Sequence, residues 1–315
     1  MLAKATSKVK PPIREVAEVF GFPSRSDRKA ARDHRAHHQC PFLKSLCIKT
    51  SQHRALPSGW PFGACSVWHS SAAMRRLEPH IICPVRFLQD NRIFKDTATL
   101  LKRSSPSSRI LLFHEIGFKG IGKLDYILVE SDKARRKFSN MLLLEAMAVS
   151  TTGTGHVIRS FLDALSSKAP KPPYKYGINF RQVVSRMMVQ ALAKAHTARH
   201  WGFSSAWAIQ DVLYEFMRSI SELNLTKVNI KTLAANAYPL YFFVYRLDTT
   251  GPVYKLKLRD TLAGSLLQVA KVFEPKKLPP KSRLLKQLHR QVESGQAIDF
   301  ARMTVPPRPG HKIVE

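Results

Sequence analysis

All four cysteines of the chain, Cys40, Cys47, Cys65 and Cys83, fall in one short window, and the rest of the 315 residues contain none. Disulfide frameworks are spread through small secreted folds, whereas four gathered thiols are what a closed tetrahedral metal site needs. Cys40 and Cys83 each precede a proline, and apolar residues flank the cysteines, as in Gly63-Ala64-Cys65 and Ile81-Ile82-Cys83. Buried thiols without a ligand give the same local picture. The intervals of six, seventeen and seventeen residues lack the C-x-x-C knuckle of common zinc modules. Spacing alone leaves both readings open.

Charge narrows the choice of partner. Fifty-one Lys and Arg against twenty-two Asp and Glu give a net charge of +29, spread over the whole length. A field of that sign favours a polyanion, of which nucleic acid is the usual one, and it exceeds what solubility requires. An anionic membrane surface is the competitor, but no strongly amphipathic basic helix stands out in the sequence to support it. No run of eighteen apolar residues is present, which excludes a conventional membrane span. Clustered thiols fit a reducing cytoplasm. Met1–Arg14 carries four basic residues and no acid, and reads as a basic arm rather than a targeting segment.

The hydrophobic fraction of 44% predicts a folded α/β chain. A short helix is expected around Val16–Phe20, followed by a His-rich stretch (His34, His37, His38) that is exposed or supplements the cysteines. Phe87–Asn91 leads into a helix reaching Lys102. Arg109–Phe118 and Lys123–Glu130, joined across Lys119-Gly120-Ile121-Gly122, read as a hairpin. The apolar run Phe138–Val149 reads as a buried central strand, and Thr151–Gly155 as a strand-exit loop. Helices are expected over Arg181–Arg199, Val212–Leu223 and Leu284–Val292. Strands are expected over Ser204–Asp211, Pro239–Leu247 and Val253–Leu258. The sum is a mixed central sheet flanked by helices.

Three carboxylates in that sheet demand an explanation. Glu115 and Asp125 lie on the two arms of the hairpin and can face each other. Glu145 sits inside Leu142-Leu143-Leu144-Glu145-Ala146-Met147, where an uncompensated ion is costly to bury. Three convergent carboxylates suit Mg²⁺, which can activate water and stabilise phosphate charge. The alternative pairs Glu115 with a basic neighbour such as Lys119 and leaves Glu145 at a solvated edge. On the helix that follows, Gln190 and Lys194 are an i,i+4 pair able to approach a phosphate.

An aspartate opening one strand, some twenty residues, and Glu-x-Lys on the next form the pattern of the PD-(D/E)xK nucleases. More specific is the order Val19-Phe20-Gly21-Phe22-Pro23, Cys40-Pro41-Phe42, Cys47, Gly63-Ala64-Cys65, Ile82-Cys83-Pro84. It continues through Phe87–Phe94, Gly120–Asp125, Glu145–Val149, Thr151–Gly155 and Ile209–Tyr214. This series resembles the NotI family of restriction endonucleases over roughly residues 15 to 260. The resemblance implies a PD-(D/E)xK fold, with a four-cysteine metal-binding region (35–88) ahead of a nuclease core (89–275). By composition a basic arm and helix (1–34) precede them and a basic Pro-rich extension (276–315) follows.

It further implies Cys40, Cys47, Cys65 and Cys83 as ligands of a structural zinc or iron ion. Asp125 and Glu145 would be ligands of a catalytic Mg²⁺, with Glu115 as an additional acid. The implied activity is hydrolysis of double-stranded DNA at a GC-rich palindrome by a homodimer, with a companion DNA methyltransferase, in a bacterial cytoplasm. One position departs from the pattern. The NotI family resembles Glu-x-Gln and the wider superfamily has lysine, whereas this chain has Met147, a thioether with no donor. Lys123 or Lys194 could substitute. A catalytically weakened NotI-like protein that binds DNA without cutting is the alternative. A basic RNA-associated protein is a third reading, to be separated by competition between RNA and duplex DNA.

Overall fold

The computed structural model describes residues 14–70, 77–101, 108–132, 137–166, 174–233 and 236–295. The chain divides into two units, 1–274 and 275–315. In the first, the strands are β1 (Val16–Val19), β2 (Phe22–Pro23), β3 (Gln39–Cys40), β4 (Ser45–Leu46), β5 (Ala64–Ser70), β6 (Leu77–Ile81), β7 (Ser108–Phe118), β8 (Gly122–Asp132), β9 (Lys137–Met147), β10 (Thr151–Thr152), β11 (Gly177–Ile178), β12 (Ser204–Gln210), β13 (Thr226–Lys227), β14 (Leu240–Asp248) and β15 (Lys255–Gly264). Its helices are α1 (Lys29–Ala36), α2 (Arg92–Ala98), α3 (Thr154–Leu165), α4 (Phe180–His200), α5 (Asp211–Ile220) and α6 (Leu266–Ala270).

Among the described residues, seven strands form the main sheet in the order β13-β15-β14-β12-β9-β8-β7. β12 runs parallel to both β9 and β14, and the other pairings are antiparallel. The sheet is therefore mixed, with β9 inside it, as the apolar run predicts. Alternation along β12 explains why both faces are covered. Trp207 and Ile209 point to a core completed by Met187, Met188 and Ala191 of α4 and Val212 of α5. Ala206 and Ala208 point to the opposite core, where Phe87, Ile93, Tyr241 and Phe243 pack.

A second sheet, β2-β1-β5-β6, lies before the main one in sequence. The expectation of a helix around Val16–Phe20 is incorrect, because those residues form β1. All four of its residues are buried: Val16 and Val19 pack against Phe161 of α3 and Val67 of β5, while Glu18 is tied to Arg86. Isolated from its partners, Val-Ala-Glu-Val carries too short a pattern to reveal this. The Thr151–Gly155 segment is likewise not a plain loop: Thr151–Thr152 form β10, and Thr154 and Gly155 open helix α3 after Gly153. Gly153 adopts φ +67° there, and a Cβ would lie 2.7 Å from the Lys175 carbonyl oxygen.

Glu18 and Arg86 join the two sheets. Both side chains are fully buried, and Arg86 Nε donates to both carboxylate oxygens of Glu18 at 3.0 Å. The guanidinium also donates to Gln89 Oε1 at 3.0 Å and to the Tyr254 carbonyl at 2.8 Å, while Ser66 Oγ donates to Glu18 at 2.7 Å. Removing one member strands the other in a medium that cannot solvate it. Arg86→Met is expected to lower unfolding stability by about 3–5 kcal/mol, read by urea denaturation. Glu18→Leu on that background should restore part of it, and a loss below about 1 kcal/mol would contradict the assignment.

His80 on β6 makes stability pH-dependent. It is 1% exposed, its Nδ1 lies 2.9 Å from the Glu78 carbonyl oxygen, and Nε2 has no partner among the described residues. Burial pushes its imidazole down to about 4, so the folded state holds it neutral. The unfolded chain takes up a proton below the ordinary value of 6.5. Its contribution is thus complete above pH 6.5 and is lost as pH falls towards 4, by roughly 3 kcal/mol. Melts between pH 7 and 4.5 should show this loss. His80→Leu should reduce it, leaving the share of the neighbouring His69, whose imidazole is also pushed down to about 4 by burial.

The second unit contains α7 (Lys281–Glu293), whose residues are all exposed. Leu284, Leu285, Leu288 and Val292 form an apolar stripe beside Lys281, Arg283, Lys286 and Arg290. This corrects the expectation that no strongly amphipathic basic helix exists. Among the described residues, no helix is long and apolar enough to cross a membrane.

Candidate active site

After a register shift between Val129 and Ser131, β8 and β9 keep one register from the Val129–Met141 pair to the Tyr126–Leu144 pair. At the next level stand Asp125 and Glu145, and here the side chains take over the bracing of the strands. The Asp125 N–H donates to Glu145 Oε1 at 3.3 Å, and the Ala146 N–H donates to Asp125 Oδ2 at 3.1 Å. Each carboxylate thereby commits one oxygen to the opposite backbone. Asp125 Oδ1 makes no hydrogen bond among the described residues. The other oxygen of Glu145, Oε2, accepts from Lys194 Nζ at 2.6 Å.

Glu145 is 3% exposed. Burial first, and repulsion from Asp125 second, push its carboxyl up to about 7 despite the Lys194 contact. A Glu145 carboxyl made costly to ionise by burial and by the neighbouring Asp125 is short of positive charge. The oxygen-only donor set suits a hard divalent cation.

Both residues, with Met147, lie at an open cavity of about 800 Å³. Helix α4 contributes Arg186, Gln190 and Lys194 to its wall, a stripe at every fourth residue that shares one helix face. Met147 also packs against the core on the α4 side of the sheet. Glu115 reaches the cavity too, but it is not part of the carboxylate pair. Its backbone takes φ +57°, and its carboxylate pairs with Lys123 Nζ at 2.9 Å, both side chains being more than half exposed. The Lys123 ammonium beside it holds the Glu115 carboxyl below its usual range. The expected neighbour, Lys119, is not the partner.

The four cysteines line a separate small cavity of about 10 Å³, the space of roughly one water-sized sphere. Burial pushes the Cys40 and Cys65 thiols up and Cys47 up to about 11, and Cys83 adds repulsion to all three. Lys49 Nζ, donating to the Ala64 and Ile82 carbonyls at 2.9 and 3.2 Å, is the buried cation beside them. Its burial lowers its pKa, against the pull of Cys83, Cys65 and Cys47. Among the described residues, no group of three or more His, Cys, Asp or Glu is set in metal-holding geometry. No described histidine lines the cysteine cavity: His34 lies at a tilt against Phe22, and His38 lies between Phe20 and Trp60. The cysteine segment nevertheless bears on the larger cavity, because Leu43, Ile48, Pro84 and Val85 form part of its wall.

Sequence reasoning missed the Glu18–Arg86 pair and the bracing of β8 against β9, since both depend on which strands become neighbours. The i,i+4 spacing of Gln190 and Lys194, extended back to Arg186, was the readable sign of the helical wall.

A family model described as restriction endonuclease NotI matches residues 25–256 of the chain. A comparison with individually characterised proteins gives no match. Since the matched residues make up most of its length, the chain belongs to the NotI restriction endonuclease family.

Proposed function

From that membership, which makes the protein a restriction endonuclease with double-stranded DNA as its substrate, we propose Mg²⁺-dependent hydrolysis of phosphodiesters at the Asp125–Glu145 pair. The observation that carries this reading is the pair itself: two carboxylates on adjacent strands, each hydrogen-bonded to the other strand's backbone, at a wide cavity in a chain of net charge +29. Asp125 Oδ1 and the Glu145 carboxylate would hold the ion. When bound, Mg²⁺ supplies Lewis-acid stabilisation of phosphate charge and a more acidic water. Arg186 and Gln190 offer donors along the wall for the DNA backbone. Glu115, paired with Lys123, is assigned to the rim.

We assign the four cysteines to a structural zinc or iron ion. Soft thiolates suit either ion, and the cavity between them is the size of a single ion or water. The site is a homodimer's half, because cutting both strands of a palindrome requires two centres related by a dyad. A GC-rich palindromic target and a companion methyltransferase complete the reading. The test is cleavage of GC-rich plasmid or phage DNA with Mg²⁺ against the same reaction in chelator, with Asp125→Ala as the control.

Met147 favours a second reading. Its thioether stands at the cavity where relatives of the family's pattern place an amide or ammonium, so the protein would bind DNA and not cut it. Retained DNA binding with identical absence of cleavage in wild type and Asp125→Ala would select it.

A further inference from the structure

We propose that Lys194 supplies, from helix α4, the polar group that strand β9 lacks at Met147. It fixes Glu145 and presents an ammonium to the cavity in which the phosphate lies. The proposal rests on the nuclease reading above and adds to it a positioning residue from a different element.

Lys194 is 3% exposed, and burying an ammonium costs several kcal/mol unless its partners are well placed. Its neighbours on the inner face of α4, Met187, Met188, Ala191 and Ala195, are all apolar. An apolar side chain would continue that face at no such cost. What the lysine gains instead is Glu145 Oε2 at 2.6 Å and the Lys123 carbonyl oxygen at 2.8 Å. The second contact ties α4 to the strand that carries Asp125. The first holds one Glu145 oxygen while Oε1 is held by the Asp125 N–H, so the carboxylate is gripped from both sides.

An ammonium has three N–H donors, and the described residues account for two. The third remains beside a cavity that Lys194 and Met147 both line. Met147 lies two residues beyond Glu145 on the same face of β9, while Lys194 reaches the same carboxylate from α4. The two positions therefore address one place from opposite elements. Lys123, the other lysine nearby, is committed to Glu115 on the exposed rim.

A purely structural counter-ion and a positioning residue predict different results. Single-turnover cleavage in Mg²⁺ should fall about 100-fold or more in Lys194→Met, the usual loss for one donor to a transition state. DNA affinity in Ca²⁺, which supports binding without turnover, should stay within threefold. Adding Met147→Lys to that variant should regain at least tenfold in rate. Cleavage by Lys194→Met within threefold of wild type overturns the proposal, as does equal loss of Ca²⁺-supported binding and rate. If the single variant fails to melt cooperatively, the double variant decides, since it restores a partner for Glu145. A rate within tenfold of wild type supports the proposal, and a loss beyond 100-fold overturns it. Wild type no faster than Asp125→Ala would instead overturn the nuclease reading, a result that involves no change at Lys194.

Discussion

Asp125→Ala is expected to slow Mg²⁺-dependent cleavage by at least about 10³-fold, or roughly 4 kcal/mol of transition-state stabilisation. The size follows from how the pair is built. Glu145 has both oxygens engaged, by the Asp125 backbone and by Lys194. Of the two, Asp125 keeps an oxygen without a hydrogen-bond partner among the described residues, so its loss removes the free anionic ligand and not merely a brace. The fold should survive. Truncation frees one N–H, that of Ala146, and at the same time removes the charge that repels Glu145. Measured melting should therefore change little while the rate collapses. A rate within tenfold of wild type would move the chemistry away from this pair.

The second large effect concerns the thiols. Removing the ion assigned to them is expected to cost at least about 5 kcal/mol, and to lower the melting temperature by roughly 10–20 °C. Cys40, Cys65 and Cys83 are buried at a cavity where, among the described residues, the positive charge nearby is that of Lys49 and the already paired Arg86. Thiols pushed above their ordinary pKa must give up protons to become ligands, so acidification should release the ion. Metal analysis of purified protein should find about one equivalent per chain. Cys65→Ser should lose it and melt at the temperature of the chelated wild type. Metal-free protein whose melt is indifferent to chelator would refute the assignment.

How much of this was readable follows from the range of each interaction. The β7–β8 hairpin and the run that becomes β9 announce themselves through local composition, and α4 through its spacing. Asp125 and Glu145 stand out because a carboxylate in an apolar strand needs a reason. The conformation of Glu115 was not legible: nothing local indicates that residue 115 turns left-handed and delivers its carboxylate to Lys123. Nor was β1, whose Glu18 makes sense only beside Arg86, 68 positions later. Lys194 was visible as a candidate, yet its choice over Lys123 depends on α4 packing across β9 and bringing residues 49 apart into contact.

The Glu18–Arg86 pair also sets where this polypeptide can be cut. The family match starts at residue 25, which invites a shortened version beginning there. Such a chain would omit the whole of β1 and leave the Arg86 guanidinium inside the protein facing Gln89, the Tyr254 carbonyl and no counter-charge. Strand β5 would lose a neighbour at the same time, and α3 the apolar residues Val16, Val19 and Phe20 that it covers. A segment trimmed to the family match is therefore expected to be less stable than one that begins ahead of Val16.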